Sequence, residues 1–325
     1  MGPNYWETGM RQLCALSVVG LAIGSIAWSQ AKAPCTTAGE NNAWLGIETI
    51  RLWPGSAPQA KGTGCEDVPT LTIFEPQRGH GNGSAVVVLP GGAYMHLAGN
   101  LEGRQVADWF TSRGFTAFVL QYRLSSNGYL LPVPLLDARR AVQLVRTRAV
   151  DYHVDPNRIV LIGFSAGGHL AALASVQPVP GDPNAEDPID RVSSRPNYVV
   201  LGYPWIGAIS SDTSHLSYCK ELNLMDRCEA LRAAYSPDLF VTKETPPTFW
   251  YHTEDDQTVP VEQGLRFYDA LVKAGVPAEA HIFEHGRHGS GMGMGDLSLE
   301  QWPNLLDTWL RKQGLIPETP QQPRK

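Results

Sequence analysis

The chain has 325 residues, a formal net charge of −6, and 43% hydrophobic against 18% charged residues. The acidic balance and the absence of a basic run argue against a nucleic-acid partner. The apolar content suits a buried sheet, and strand and helix signals alternate without a linker, so a single α/β domain is expected.

Residues 1–29 read as a leader whose true start is Met10. Arg11 supplies the positive region, Leu13–Ala27 the apolar run, and Ala27-Trp28-Ser29 a small-x-small cleavage site before Gln30. The run is short for a bilayer span. A periplasmic or secreted protein is therefore expected, without membrane contact after cleavage; an uncleaved anchor is the alternative. Removing the leader takes Cys14 with it and leaves Cys35, Cys65, Cys219 and Cys228. An even number of cysteines in an exported chain suggests disulfides. Of three pairings the local one, Cys35–Cys65 with Cys219–Cys228, is favoured, and free thiols stay open as the alternative.

The catalytic domain is expected over residues 30–316, followed by a flexible polar tail over 317–325. Ile47–Trp53 and Leu71–Glu75 read as early strands, forming an antiparallel edge. Asn82-Gly83-Ser84 is formally a glycosylation sequon but reads as a turn into the strand Ala85–Leu89. That strand ends in Pro90-Gly91-Gly92-Ala93-Tyr94, where two glycines allow close backbone approach. The amides of Gly92 and Ala93 are the candidate oxyanion donors from this loop. Helix 103–113, strand Thr116–Gln121 and helix Leu135–Ala149 follow.

Strand Ile159–Gly163 then runs into Gly163-Phe164-Ser165-Ala166-Gly167 and a small-residue helix, Ala166–Val176. Strand, G-x-S-x-G and helix in that order make a nucleophile elbow, with Ser165 at its tip. The Ala166 amide, at the helix start, can bind a developing oxyanion. Residues 178–246 read as an insertion or cap-like region. It opens on a Pro- and Asp-rich loop over 178–196 and holds the strand Tyr198–Leu201.

Strand Pro247–His252 enters an acidic loop, Glu254-Asp255-Asp256, ahead of Val259-Pro260 and helix Val261–Ala274. Strand Ala278–Phe283 enters a glycine-rich loop carrying His285 and His288, and helix Glu300–Arg311 closes the chain. A serine nucleophile needs a base and an orienting acid. Asp256 is the favoured acid over Asp255 and Glu254, and His288 the favoured base over His285. His281-Ile282-Phe283-Glu284-His285 also matches the inverted zinc-protease pattern. That chemistry needs both histidines on one helical face, and the local register is a strand, so no metal and no cofactor are expected.

Pro90–Tyr94, Gln121-Tyr122-Arg123-Leu124, the stretch Asp155–Ile159 leading into Gly163–His169, Asp256–Pro260 and Gly286–Gly289 together resemble the α/β-hydrolase serine esterases. The resemblance is nearest to the bacterial acetylxylan and feruloyl esterase-like enzymes related to hormone-sensitive lipase, and covers most of residues 47–314. It implies a mostly parallel central sheet with helices on both faces, and a serine esterase acting on an acylated carbohydrate or small ester. The family's frequent H-G-G-G motif has Pro90 and Ala93 at its first and last positions here. Because aromatic faces stack on sugar rings, Tyr94, His96 and Trp205, with His215 and Tyr218, are the candidates to line the substrate pocket, with ordinary packing as the alternative for each; a monomer is expected. A prolyl-oligopeptidase-type peptidase and a catalytically silent binding protein are the rival readings. The first usually carries an extra domain for which this chain has no length. The second is disfavoured by candidates for all three members of the triad.

Overall fold

The computed structural model describes residues 47–207 and 228–317. The expected leader with Met10, Cys35, His215, Tyr218, Cys219, the side chain of Cys228 and the tail beyond Pro317 lie outside the described residues. Cys65 is not a free thiol.

Eight strands form one sheet: β1 (Thr49–Arg51), β2 (Thr70–Phe74), β3 (Ala85–Leu89), β4 (Thr116–Gln121), β5 (Ile159–Phe164), β6 (Tyr198–Gly202), β7 (Thr248–Thr253) and β8 (Ala278–Phe283). Their spatial order is β1-β2-β4-β3-β5-β6-β7-β8. β1 and β2 pair antiparallel, as do β2 and β4, and the remaining pairs are parallel. This is the sheet the resemblance implies, with its antiparallel edge.

The central strands are apolar along their whole length because both faces are covered; every residue of β3 and β5 is buried. Alternation divides them between two cores. Val87, Leu89 and Leu161 pack with α2 (Val133–Thr147), α3 (Ala166–Val176) and α5 (Glu262–Lys273). Val86, Val88, Val160 and Ile162 pack on the other face with α1 (Gln105–Thr111) and α6 (Trp302–Lys312). Burial on both faces at roughly 25 cal/mol per Å² of apolar area is the main stabilising contribution.

Three local differences from the sequence reading have physical causes. A turn of π-helix, Gly99–Arg104, precedes α1, so the expected helical stretch starts irregularly. α2 begins two residues early, since Pro134 is tolerated in a first turn where no intrahelical amide donor is needed. A helix, α4 (Cys228–Tyr235), stands in the 178–246 region where none was expected. That region is also divided by β6, a core strand of the sheet. Its Pro-rich part is fastened to α2: Arg140 donates to Asp190 at 2.8 Å and to Asp187, and Gln143 donates to the Val192 carbonyl. The Asn82 side chain is spent on its own turn, accepting from Ser84 N and donating to the Arg113 carbonyl.

Candidate active site

The carboxyl ends of β3, β5, β6, β7 and β8 converge, and ligands in parallel α/β sheets bind at that end. At the end of β5 the backbone turns sharply at Ser165, which has φ 51° and ψ −119°. Such a conformation is costly for a residue with a side chain, and it persists where the surroundings impose it. The glycines on either side explain how. A Cβ on Gly163 would stand 2.1 Å from the Gly167 carbonyl oxygen, and one on Gly167 would stand 2.1 Å from the Leu89 carbonyl oxygen. Only glycines let the strand, the turn and β3 approach this closely. The turn is pinned further by Ser165 N donating to the Gly202 carbonyl at 3.0 Å.

Ser165 Oγ lies 2.8 Å from His288 Nε2, and His288 Nδ1 lies 2.7 Å from Asp256 Oδ2. The acid side fixes the tautomer: a carboxylate only accepts, so Nδ1 carries the proton and Nε2 is left to accept from the serine hydroxyl. Asp256 is buried, which by itself opposes its ionisation. Hydrogen bonds from His252 and His288, together with the Val259 amide, outweigh that and hold the carboxyl well below the usual range. Its Oδ1 caps the following turn, accepting from Thr258 N at 2.8 Å and Val259 N at 2.9 Å.

Neither Asp255 nor His285 enters this line. They bond to each other, Nδ1 to Oδ2 at 3.2 Å, and Asp255 also accepts from the Gly286 amide at 3.0 Å. Asp255 therefore ties the acid loop to the loop carrying His288. His281 lies in β8 with its ring on Glu279. The H-x-x-E-H spacing thus presents no helical face for a metal.

Along the loop after β3, Gly92, Ala93 and Tyr94 take φ values of 129°, 55° and 60°. This run of positive φ leaves the Gly92 and Ala93 amides, like that of Ala166, without an acceptor among the described residues. Gly91 presses against the elbow: a Cβ there would be 2.9 Å from Ser165 Cβ. Its own amide is engaged, donating to Glu102 at 2.7 Å. Tyr122 donates to the Pro90 carbonyl at 2.7 Å, and Arg123 grips Asp137 through both side chain and backbone. The Gln121–Leu124 motif thus buttresses this loop.

The three described residues expected in the pocket separate here. His96 is exposed and borders a cavity of about 320 Å³, together with Met95, Leu97, Gln121, Leu124 and Asn127. Trp205 is half-buried against the His169 ring, 4.5 Å between centroids. Tyr94 is corrected: it is only 2% exposed, and its hydroxyl lies 2.7 Å from His169 Nδ1. It therefore anchors the loop from behind rather than facing a substrate. His169 Nε2 must donate to the Tyr235 carbonyl, 2.7 Å away, so Nδ1 accepts from Tyr94. Burial lowers the His169 pKa to about 4, and the ring stays neutral.

Sequence reasoning missed Glu102, Tyr203, His169 and His252 as supports of the site. His169 had a signal, its place in Gly167-Gly168-His169 one helical turn from Ser165. His252, fully buried, donates from Nε2 to the Val259 carbonyl at 2.9 Å and lies 3.3 Å from Asp256. It lies in the aromatic strand β7 and reads there as one more core residue.

Comparison with known proteins agrees with this geometry. The BD-FAE family pattern matches residues 71–271, more than half of the chain. The chain belongs to the BD-FAE family. Its likeness to the acetylxylan esterase of Xylanibacter ruminicola is 31% identity over 247 residues, 74% of this chain and 48% of that protein. The chain spans about half the length of that curated relative. Among solved structures, this BD-FAE chain is similar to an acetyl ester-xyloside bifunctional hydrolase from Caldicellulosiruptor lactoaceticus. The TM-score is 0.73 at 38% identity, covering 83% of this chain and 97% of that one. An esterase of Thermogutta terrifontis with propionate bound matches with TM-score 0.68 at 28% identity, over 85% and 97% of the two chains. The fold is that of the α/β-hydrolases.

Proposed function

We propose that this BD-FAE chain is a serine carboxylic ester hydrolase that removes short acyl groups, acetyl foremost, from carbohydrate esters. The observation that carries the reaction type is the hydrogen-bonded line Ser165–His288–Asp256 beside backbone amides with no acceptor among the described residues. The acetyl preference and the carbohydrate rest on likeness to an acetylxylan esterase and an acetyl ester-xyloside hydrolase.

In this mechanism Ser165 Oγ attacks the ester carbonyl carbon while His288 Nε2 takes its proton. The carbonyl oxygen becomes an oxyanion facing the amides of Gly92, Ala93 and Ala166. His288 then gives the proton to the leaving alcohol oxygen as the C–O bond breaks, leaving an acyl-Ser165. Water, deprotonated by the same imidazole, attacks that acyl carbon, and Ser165 takes the proton back as the acid departs. Asp256 stays ionised throughout and stabilises the imidazolium. The cavity beside the oxyanion loop, with His96, Gln121 and Asn127 at its wall, suits the hydroxylated alcohol half of the ester.

The test is turnover of p-nitrophenyl acetate, acetylated xylan, methyl ferulate and a prolyl-peptide anilide by wild type and Ser165→Ala. Acetyl release from xylan that the variant abolishes supports the reading. Faster ferulate turnover makes the chain a feruloyl esterase, and anilide cleavage without ester turnover makes it a peptidase. A further expectation is that His96→Ala raises KM for acetylated xylan and leaves p-nitrophenyl acetate unaffected. We also infer export as a monomer with Cys35–Cys65 and Cys219–Cys228 bridges. Cell fractionation, sizing and thiol counting under denaturing conditions test these.

A further inference from the structure

Glu102 is an acidic side chain that the reaction above does not use, and it is 3% exposed. It sits in the π-turn Gly99–Arg104, directly behind the reacting groups. One oxygen accepts from the Gly91 amide at 2.7 Å. The other accepts from the Tyr203 hydroxyl at 2.8 Å. Tyr203 in turn accepts from the Gly291 amide at 2.9 Å, and its ring meets the His288 imidazole edge-on at 4.9 Å. A Cβ on Gly91 would stand 2.7 Å from Glu102 Oε2, so the glycine is what admits the carboxyl. The same Cβ would stand 2.9 Å from Ser165 Cβ, so Gly91 brings the carboxyl and the nucleophile together.

We infer that Glu102 is a positioning residue: its carboxyl clamps the oxyanion loop, through Gly91, to the histidine loop, through Tyr203 and Gly291. The inference rests on the esterase reading of this site.

The chemistry favours an anion with a specific duty over a filler. Both oxygens accept, and a buried carboxyl with no role would be replaced by an apolar side chain at little cost. Burying the Gly91 amide without an acceptor would cost about as much as losing a hydrogen bond to a charged group. The two loops it joins leave β3 and β8, strands far apart in the sheet order, so no backbone ladder holds them in register. The charge also stands where His288 becomes positive in the transition state. The titratable groups that interact with the carboxyl are Tyr203 after β6, Tyr251 in β7, Tyr122 after β4, His96 on the oxyanion loop and His288. Of these only the two imidazoles gain positive charge. Burial raises the Glu102 pKa, and the hydrogen bonds from Tyr203 and Gly91 and the nearness of His288 and His96 oppose the rise.

Glu102→Gln keeps the volume but cannot accept from both loops at once. Its kcat for p-nitrophenyl acetate, per Ser165 titrated to completion with a phosphonate, is expected to fall by about 10- to 100-fold. KM is expected to stay within about threefold. The ascending limb of the kcat/KM pH profile is expected to move to lower pH, because a negative charge that favours the imidazolium has gone. Tyr203→Phe, which keeps the packed ring, should lose about tenfold in kcat. The double variant should be no slower than Glu102→Gln, since both changes break one clamp. If Glu102→Gln does not fold, Tyr203→Phe with an unchanged kcat still overturns the proposal. So does a Glu102→Gln enzyme that is less heat-stable but has normal kcat per titrated site and an unmoved pH profile. Failure of the esterase reading looks different: there Ser165→Ala keeps its activity and the phosphonate does not label Ser165.

Discussion

The nucleophile elbow and the pair of loops bearing Asp256 and His288 solve the same problem, holding a side chain to within a fraction of an ångström, by opposite means. The elbow is held by backbone sterics. Gly163 and Gly167 let three chain segments touch, and Ser165 at φ 51° is the consequence. The acid and base loops are held by polar side chains reaching between segments some thirty residues apart. Asp255 accepts from the Gly286 amide, Thr253 donates to the Gly286 carbonyl, and Asp256 accepts from His288. Local sterics can be read in a few consecutive residues. A network of side-chain hydrogen bonds exists only once the strands have been placed side by side. The two devices should also fail differently, one in folding and the other in rate.

The largest expected effect lies where the two devices meet. Ser165→Ala should lower kcat by about 10⁶-fold with the thermal midpoint little changed, and His288→Ala should be nearly as slow. Steady-state kinetics with protein checked by calorimetry decides this, and a variant retaining a tenth of the wild-type rate removes that residue from its role.

The acid loop comes next. Asp256→Asn should lower kcat by about 10⁴-fold, because an amide fixes the wrong tautomer of His288. Asp255→Asn and Glu254→Gln should stay within about tenfold, since Asp255 joins the loops without touching the imidazole of His288. Reversed rates for the Asp255 and Asp256 variants would mean the network is wired differently.

On the elbow the effect moves from rate to stability. Gly167→Ala forces a Cβ against the Leu89 and Pro90 carbonyl oxygens, at 2.1 and 2.6 Å. It should destabilise by about 3 kcal/mol, at the upper end for overpacking. Gly275→Ala is the control: φ is +73° there, but nothing lies within 4 Å, so the loss should be about 1 kcal/mol from backbone strain alone. Urea unfolding midpoints compare the two, and equal losses would show that crowding at the elbow is not what selects glycine.

The smallest effect is a pH slope from His169. Burial holds its folded pKa near 4 against an ordinary 6.5. Below the ordinary value the unfolded chain takes up a proton that the folded chain refuses, so stability falls as the pH drops from 6.5 towards 4 and this contribution then levels off. His169→Gln should flatten that part of the melting curve against pH. Asp256 acts later: its depressed folded pKa makes its stabilisation full above the usual carboxylate range, and that stabilisation is lost at still more acid pH.

Much of the fold was legible because each element announces itself over a short stretch. β3 and β5 are continuous apolar runs whose period-two faces both need covering, and Pro260 and Gly275 bracket α5. The elbow was legible for the same reason. Asp256 and His288 were separated from Asp255 and His285 only by family-like spacing, since adjacent carboxylates and nearby imidazoles look alike in one dimension. α4 and the π-turn before α1 were not legible. α4 sits in a stretch the Pro- and Asp-rich opening marked as irregular, and Glu102, just ahead of the expected helix 103–113, looks like any exposed loop charge.

By itself the sequence determined the strands, the helices, the tip serine and the glycines around it, because sterics and hydrophobic period act between neighbours along the chain. Only the tertiary structure decided that Tyr94 faces the core and His169 instead of a substrate. It alone decided that Asp255 binds the histidine loop while Asp256 binds the histidine, and that Glu102 lies beneath both loops. Those outcomes depend on which polar groups lose their water together when β3, β6, β7 and β8 come side by side. A buried donor or acceptor must then find its partner across the fold rather than along the chain.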